Sequence, residues 1–95
     1  MLTGKQRAGL RSAANKIETI GQIGHGGITP AVIESVGMAL KARELVKYKV
    51  LETSPLSPDE AADALAEALS CEVIQVIGCR IVLFLQKEED SAYEV

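Results

Sequence analysis

The residues with the most chemical potential lie in one ten-residue stretch, Gly21-Gln22-Ile23-Gly24-His25-Gly26-Gly27-Ile28-Thr29-Pro30. Four of the chain's eight glycines fall here. The stretch ends on Thr29, a good helix N-cap, and Pro30, which suits a first helical position. A glycine loop feeding a helix start offers backbone N–H groups and the positive end of a helix dipole. Anions, phosphate above all, are attracted to such a terminus. Gly24, His25, Gly26, Gly27 and Thr29 are therefore candidate contacts for a phosphate-bearing ligand.

Enzymatic uses of this loop find little support in the residues. It lacks the Lys-Ser/Thr ending of a nucleotide-binding P-loop, and its spacing after Gly24 departs from GxGxxG. His25 is the only histidine, with no Ser, Cys or Asp constellation beside it in sequence. Cys71 and Cys79 match no zinc-ligand spacing. Extended chain between them spans about 25 Å, far beyond disulfide reach. The sequence predicts no catalytic residue, no cofactor, no metal and no small-molecule substrate, and it assigns both thiols a structural role.

Charge is unevenly spread. The net value is −3, yet residues 1–50 hold eight Lys or Arg against three acids, a balance of +5. Residues 51–95 hold two against ten, a balance of −8. Because screening limits charge effects to about 8–10 Å, a local basic surface can serve a polyanion despite an acidic total. The candidate cations are Lys5, Arg7, Arg11, Lys41, Lys47, Lys49 and Arg80.

Elements that could position these groups follow from periodicity. Thr3–Ile17 reads as a helix with Gln6, Leu10, Ala13, Ala14 and Ile17 on one face. Arg7 and Arg11 lie four apart on its flank and repel mildly unless an anion or a nearby acid relieves them; the plainer reading is a solvated flank. Glu18–Ile23 is a short strand, and Pro30–Arg43 a helix with Val32, Val36, Ala39, Leu40 and Arg43 on its stripe. Gly37 inside it costs about 1 kcal/mol relative to alanine, tolerable where another backbone packs closely.

Leu45–Leu51 alternates, with Val46, Tyr48 and Val50 on one face and Lys47 and Lys49 on the other. Ser57-Pro58-Asp59-Glu60 is a capping box opening a third helix to about Leu69. Ala61, Leu65, Ala68 and Leu69 point inward, and the acidic surface faces away from any polyanion. Glu72–Ile77 and Ile81–Gln86 form a hairpin around Gly78-Cys79-Arg80. The order α-β-α-β-α-β-β predicts an α/β sandwich of two or three layers, a four-stranded mixed sheet with three helices, and parallel neighbours across each strand-helix-strand unit.

One domain is expected over residues 1–87, with a flexible acidic tail, 88–95. No apolar run approaches the ~18–20 residues of a bilayer span, and Met1-Leu2-Thr3-Gly4-Lys5 is no secretory signal. A monomeric cytoplasmic protein without membrane attachment is the expectation.

Four blocks occur in order: Leu2-Thr3-Gly4-Lys5-Gln6-Arg7, Gln22–Thr29, Ala42–Val50 and Val73–Gly78. Together they resemble the CRM domain of the bacterial YhbY type, and the resemblance covers roughly residues 2–85. It implies an RNA-binding module with a fold similar to the C-terminal domain of translation initiation factor three. Bacterial single-domain members are linked to pre-ribosomal large-subunit particles, so ribosomal RNA is the implied partner; plant relatives use the domain in intron splicing. The family's glycine loop is similar to the GxxG loop of KH domains, which clamps nucleic-acid backbone.

Departures from the family pattern bear on affinity. His25 replaces the usual loop lysine, and a free imidazole carries only part of a charge at neutral pH. Cys79 stands where the hairpin usually has a basic residue, with Arg80 one position later, and Leu85 stands where arginine is common. Weaker binding, with the same fold, is expected. The competing reading is a non-catalytic module that docks a basic protein, for example a ribosomal one, on its acidic helix. With Tyr48, Phe84 and Tyr93 as the only aromatics, stacking of the RRM kind is not expected.

Overall fold

Helix α1 (Gly4–Ala14) starts where Thr3 caps it. The Thr3 hydroxyl accepts the Gln6 N–H at 3.2 Å, and the Gln6 side chain accepts the Thr3 N–H at 2.8 Å. This box satisfies donors that a helix start otherwise leaves without partners. It also takes Gln6 off the inward face assigned to it from the sequence. The computed structural model describes residues 3–86. After α1 come β1 (Gly21–Ile23), α2 (Pro30–Arg43), β2 (Leu45–Val50), α3 (Pro58–Leu69), β3 (Glu72–Ile77) and β4 (Arg80–Phe84). The acidic tail expected over 88–95 lies outside the described residues.

The four strands form one sheet in the order β1-β2-β4-β3. β1 runs parallel to β2, as a strand-helix-strand unit requires, while β2/β4 and β4/β3 are antiparallel. The second unit, β2-α3-β3, departs from the expected parallel neighbours because β4 sits between them. Ile81, Val82, Leu83 and Phe84 are all buried. An apolar run buried on both faces belongs in the sheet interior. The two-residue turn Gly78-Cys79, with Gly78 at φ +57°, sends β4 back along β3.

Helices cover both faces, giving three layers. On one side α1 places Leu10 and Ala14 against Leu45, Ile74, Val82 and Phe84. Ile74 joins that cluster by alternation from Glu72, and the register shift between Val73 and Gln75 then brings Gln75 and Ile77 to the same face. On the other side α2 and α3 bring Val36, Leu40, Ala61, Ala62 and Leu65 against Val46, Tyr48, Val50, Ile81 and Leu83. Tyr48 is inward as its alternation predicts.

Several local expectations are corrected. α1 stops at Ala14, and β1 spans three residues. Arg43, in the last turn of α2, is exposed although it lies on the Val36 side of the helix. In α3 Ala62 is buried and Ala68 exposed. A Cβ on Gly37 would lie 3.2 Å from Leu69 Cδ2, so the close neighbour is a side chain of α3, not a backbone. The thiols are free: Cys71 is buried with its Sγ 3.8 Å from the Leu65 carbonyl, and Cys79 is half-buried in the turn. Glu44, which caps α2 at φ 66°, is buried; its N–H donates to Leu40 O and its carbonyl accepts from Leu85 N. Among the described residues no helix is long and apolar enough to cross a membrane.

Candidate nucleic-acid interface

The glycine loop closes on itself. Gly27 N–H donates to the Gly24 carbonyl at 3.0 Å, making a four-residue turn whose tip is His25-Gly26, both exposed. Gly27 has φ +67° and is buried, and a Cβ there would meet Pro55 Cγ at 3.0 Å. Gly26 has no atom within 4 Å of a built Cβ. Glycine is thus demanded by backbone conformation and packing at position 27, while position 26 is open to solvent or ligand.

Thr29 is committed to the helix: its hydroxyl accepts the Val32 N–H at 3.2 Å. It sets where α2 starts, and Pro30 follows at the first helical position. The N-terminus of α3 stands at the same end of the sheet. A cleft of about 260 Å³ is lined by Leu51, Ser57, Pro58, Gly78 and Cys79 among others, while Leu51 N–H reaches the Ile23 carbonyl at the loop.

These two helix starts differ in charge. The first turn of α3 carries Asp59 and Glu60, and that of α2 carries no acid. The Ser57 backbone N–H, and then its hydroxyl, hold the Glu60 carboxyl below the usual range. The α3 dipole is therefore already answered by its own carboxylates, leaving the α2 start as the one suited to an incoming anion. The acidic first turn of α3, Asp59 and Glu60, stands at the loop end of the sheet.

The candidate cations separate into three groups. Lys47, Lys49 and Arg80 lie on the α1 side of the sheet: Lys49 pairs with Arg80 across β2 and β4, and Lys47 with Val82. Lys47 Nζ donates to the Ile17 carbonyl at 3.2 Å, and Arg80 Nε to Thr19 Oγ1 at 3.4 Å. Arg7 is tied down at the opposite end of β3, its guanidinium 2.8 Å from Glu72 and 2.7 Å from the Val73 carbonyl. Glu72 is the acid that relieves the Arg7–Arg11 repulsion. Lys5 and Arg11 are exposed on α1, and Lys41 sits in the last turn of α2, about 16 Å along the axis from the loop. The fold thus brings Lys49 and Arg80 together at the end of the sheet where β1 leads into the loop, on the face opposite α2, with Lys47 one step behind; it does not bring Lys5, Arg7, Arg11 or Lys41 to them.

Sequence reasoning passed over Gln22 and Ile77. Gln22 pairs with Lys49, and Ile77 with Arg80. Ile77 is 61% exposed, an apolar side chain left bare beside Arg80 at the edge of the sheet. Strand register across four segments, which periodicity within each one does not reveal, is what joins them.

The chain is a small three-layer α/β/α domain with a glycine turn ahead of an acid-free helix start and two cations paired across β2 and β4 at the same end of the sheet. The family comparison makes the class specific: residues 2–84 match the CRS1/YhbY (CRM) domain, and the chain belongs to that family. The chain is 38% identical to the probable RNA-binding protein YqeI of Bacillus subtilis, over 100% of this chain and 99% of that protein. A probable RNA-binding protein of Methanocaldococcus jannaschii is 39% identical, over 97% of this chain and 69% of its own length. Among solved structures, a hypothetical protein of Staphylococcus aureus described as a candidate RNA-binding protein superposes with a TM-score of 0.75. It is 41% identical and is covered over 99% of its length by 100% of this chain.

Proposed function

We propose that this protein binds RNA without catalysing a reaction, and that its target is ribosomal RNA or a pre-ribosomal large-subunit particle. The observation that carries the reading is the Gly24–Gly27 turn at the acid-free start of α2, in a chain whose relatives are named as RNA-binding proteins. The exposed tip gives backbone N–H groups and the helix dipole to a phosphate, and Lys49 and Arg80 add charge. Shape and backbone contacts dominate, because Tyr48 and Phe84 are buried and offer no stacking platform.

Equilibrium binding to structured ribosomal RNA across a salt series tests this. Each phosphate neutralised contributes about 0.7–0.9 to the slope of log affinity against log salt. A slope of several units, reduced affinity for Gly26→Asp and an unchanged thermal melt are expected. Binding that ignores both salt and the substitution would overturn the reading. Tight salt-dependent capture of a basic protein with no RNA affinity would favour the exposed acidic face of α3 instead.

A further inference from the structure

Helix α1 covers only part of its side of the sheet. Leu45, Phe84 and Glu72 are in register at the end far from the glycine loop, and α1 packs over Leu45 and Phe84, with Arg7 held by Glu72. Lys47, Val82 and Gln75 form the next row, of which Val82 is covered. The last row, at the loop end, is Gln22–Lys49–Arg80–Ile77, one residue from each of the four strands. Nothing from α1 packs on it: Gln22, Arg80 and Ile77 are exposed and Lys49 half-buried.

This row has a definite chemical make-up. Three inter-strand steps give it a length of about 14 Å. Among the described residues Arg80 donates through Nε to Thr19 Oγ1, and its side chain is exposed. Gln22 brings an amide that both donates and accepts, and Ile77 an apolar floor. No acid stands in the row, and Glu18 and Glu52 line separate clefts. Two cations at the centre of the row, an amide at one end and a bare apolar side chain at the other complement a phosphate backbone whose bases are exposed. In duplex RNA the base edges and faces are withdrawn; only unpaired nucleotides can splay a base onto a side chain or a guanidinium plane.

We infer that the row Gln22–Lys49–Arg80–Ile77 receives an unpaired segment of RNA, whose backbone continues to the glycine turn; this rests on the RNA-binding reading above. Lys49 and Arg80, at the centre of the row, hold phosphate, while Ile77 at one end and Gln22 at the other each contact a separate base. The protein accordingly prefers RNA with an open loop to a fully paired helix.

The test uses the full chain with two probes, an RNA hairpin carrying an open loop and a blunt duplex of the same length. Wild type is expected to favour the hairpin. Ile77→Ala and Gln22→Ala should each weaken hairpin binding about five- to ten-fold, with little change on the duplex and none in salt slope. Lys49→Ala and Arg80→Ala should each lower the slope by about 0.7. Thermal melts confirm that all four fold. Equal affinity for the two probes, or Ile77→Ala and Gln22→Ala indistinguishable from wild type on the hairpin, would overturn the inference while leaving RNA binding in place. Self-association that vanishes in Ile77→Ala, with RNA affinity untouched, would also overturn it. Absence of binding to either probe would overturn the parent reading as well.

Discussion

A Cβ at Gly27 would press against Pro55 Cγ at 3.0 Å, whereas the neighbouring Gly26 faces open space. Two adjacent glycines of one turn thus have different jobs. Gly27→Ala is expected to destabilise the fold by at least about 1–2 kcal/mol, from its positive φ alone. For a domain of this size that lowers Tm by roughly 4–8 °C per kcal/mol. Gly26→Asp is expected to leave Tm within a degree or two and to weaken RNA binding. Melts and titrations on both variants check this. An aspartate at position 27 would confound the two effects, so position 26 is the clean probe.

His25 sits exposed at the tip of the turn. His25→Lys places a full charge where an RNA backbone would pass. Affinity for ribosomal RNA should rise, and the log–log salt slope should steepen by about 0.7–0.9. An unchanged slope would mean that the tip makes no phosphate contact.

Arg7 belongs to the scaffold. Its guanidinium joins α1 to the start of β3 through Glu72 and the Val73 carbonyl. Arg7→Ala is expected to cost about 1 kcal/mol, since the ion pair is partly solvated and most of the loss is the hydrogen bond to a backbone carbonyl. The RNA salt slope should be unaffected. Denaturant midpoints and the salt series together separate a scaffold residue from a ligand contact.

The two thiols should behave differently. Burial pushes the Cys71 thiol up to about 11 from an ordinary value of 9.0, while Cys79 is half-exposed in the turn. Iodoacetamide at about pH 8 should modify Cys79 in the native protein and reach Cys71 only after unfolding, as peptide mass mapping would report. The raised value also sets an alkaline limit. The folded state holds the Cys71 proton more tightly than the unfolded chain does. Stability is therefore unaffected below about pH 9 and falls as pH rises from there toward 11. Cys71→Ala should flatten that decline in denaturation midpoints measured across the range.

Removing the box that opens α3 tests the local reading of the sequence. Ser57→Ala strips the acceptor from Glu60 N–H and is expected to cost about 1 kcal/mol, measured by denaturation.

What could be read without a structure was local. Thr29-Pro30 and Ser57-Pro58-Asp59-Glu60 announce helix starts because a cap bonds to donors two or three residues away. Lys47 and Lys49 share a sheet face because side chains alternate along any strand. The order of elements, the family and the α2 loop follow from signals of that range. Which residues meet across the chain depends on tertiary structure. Arg7 is claimed by Glu72, 65 positions on, and Lys41 is carried away from the loop by the length of α2. Insertion of β4 between β2 and β3 sets Lys49 beside Arg80 and leaves Gln22 and Ile77 bare at the ends of one row. Register between strands is set by burying both faces of the sheet at once, a condition no single segment contains.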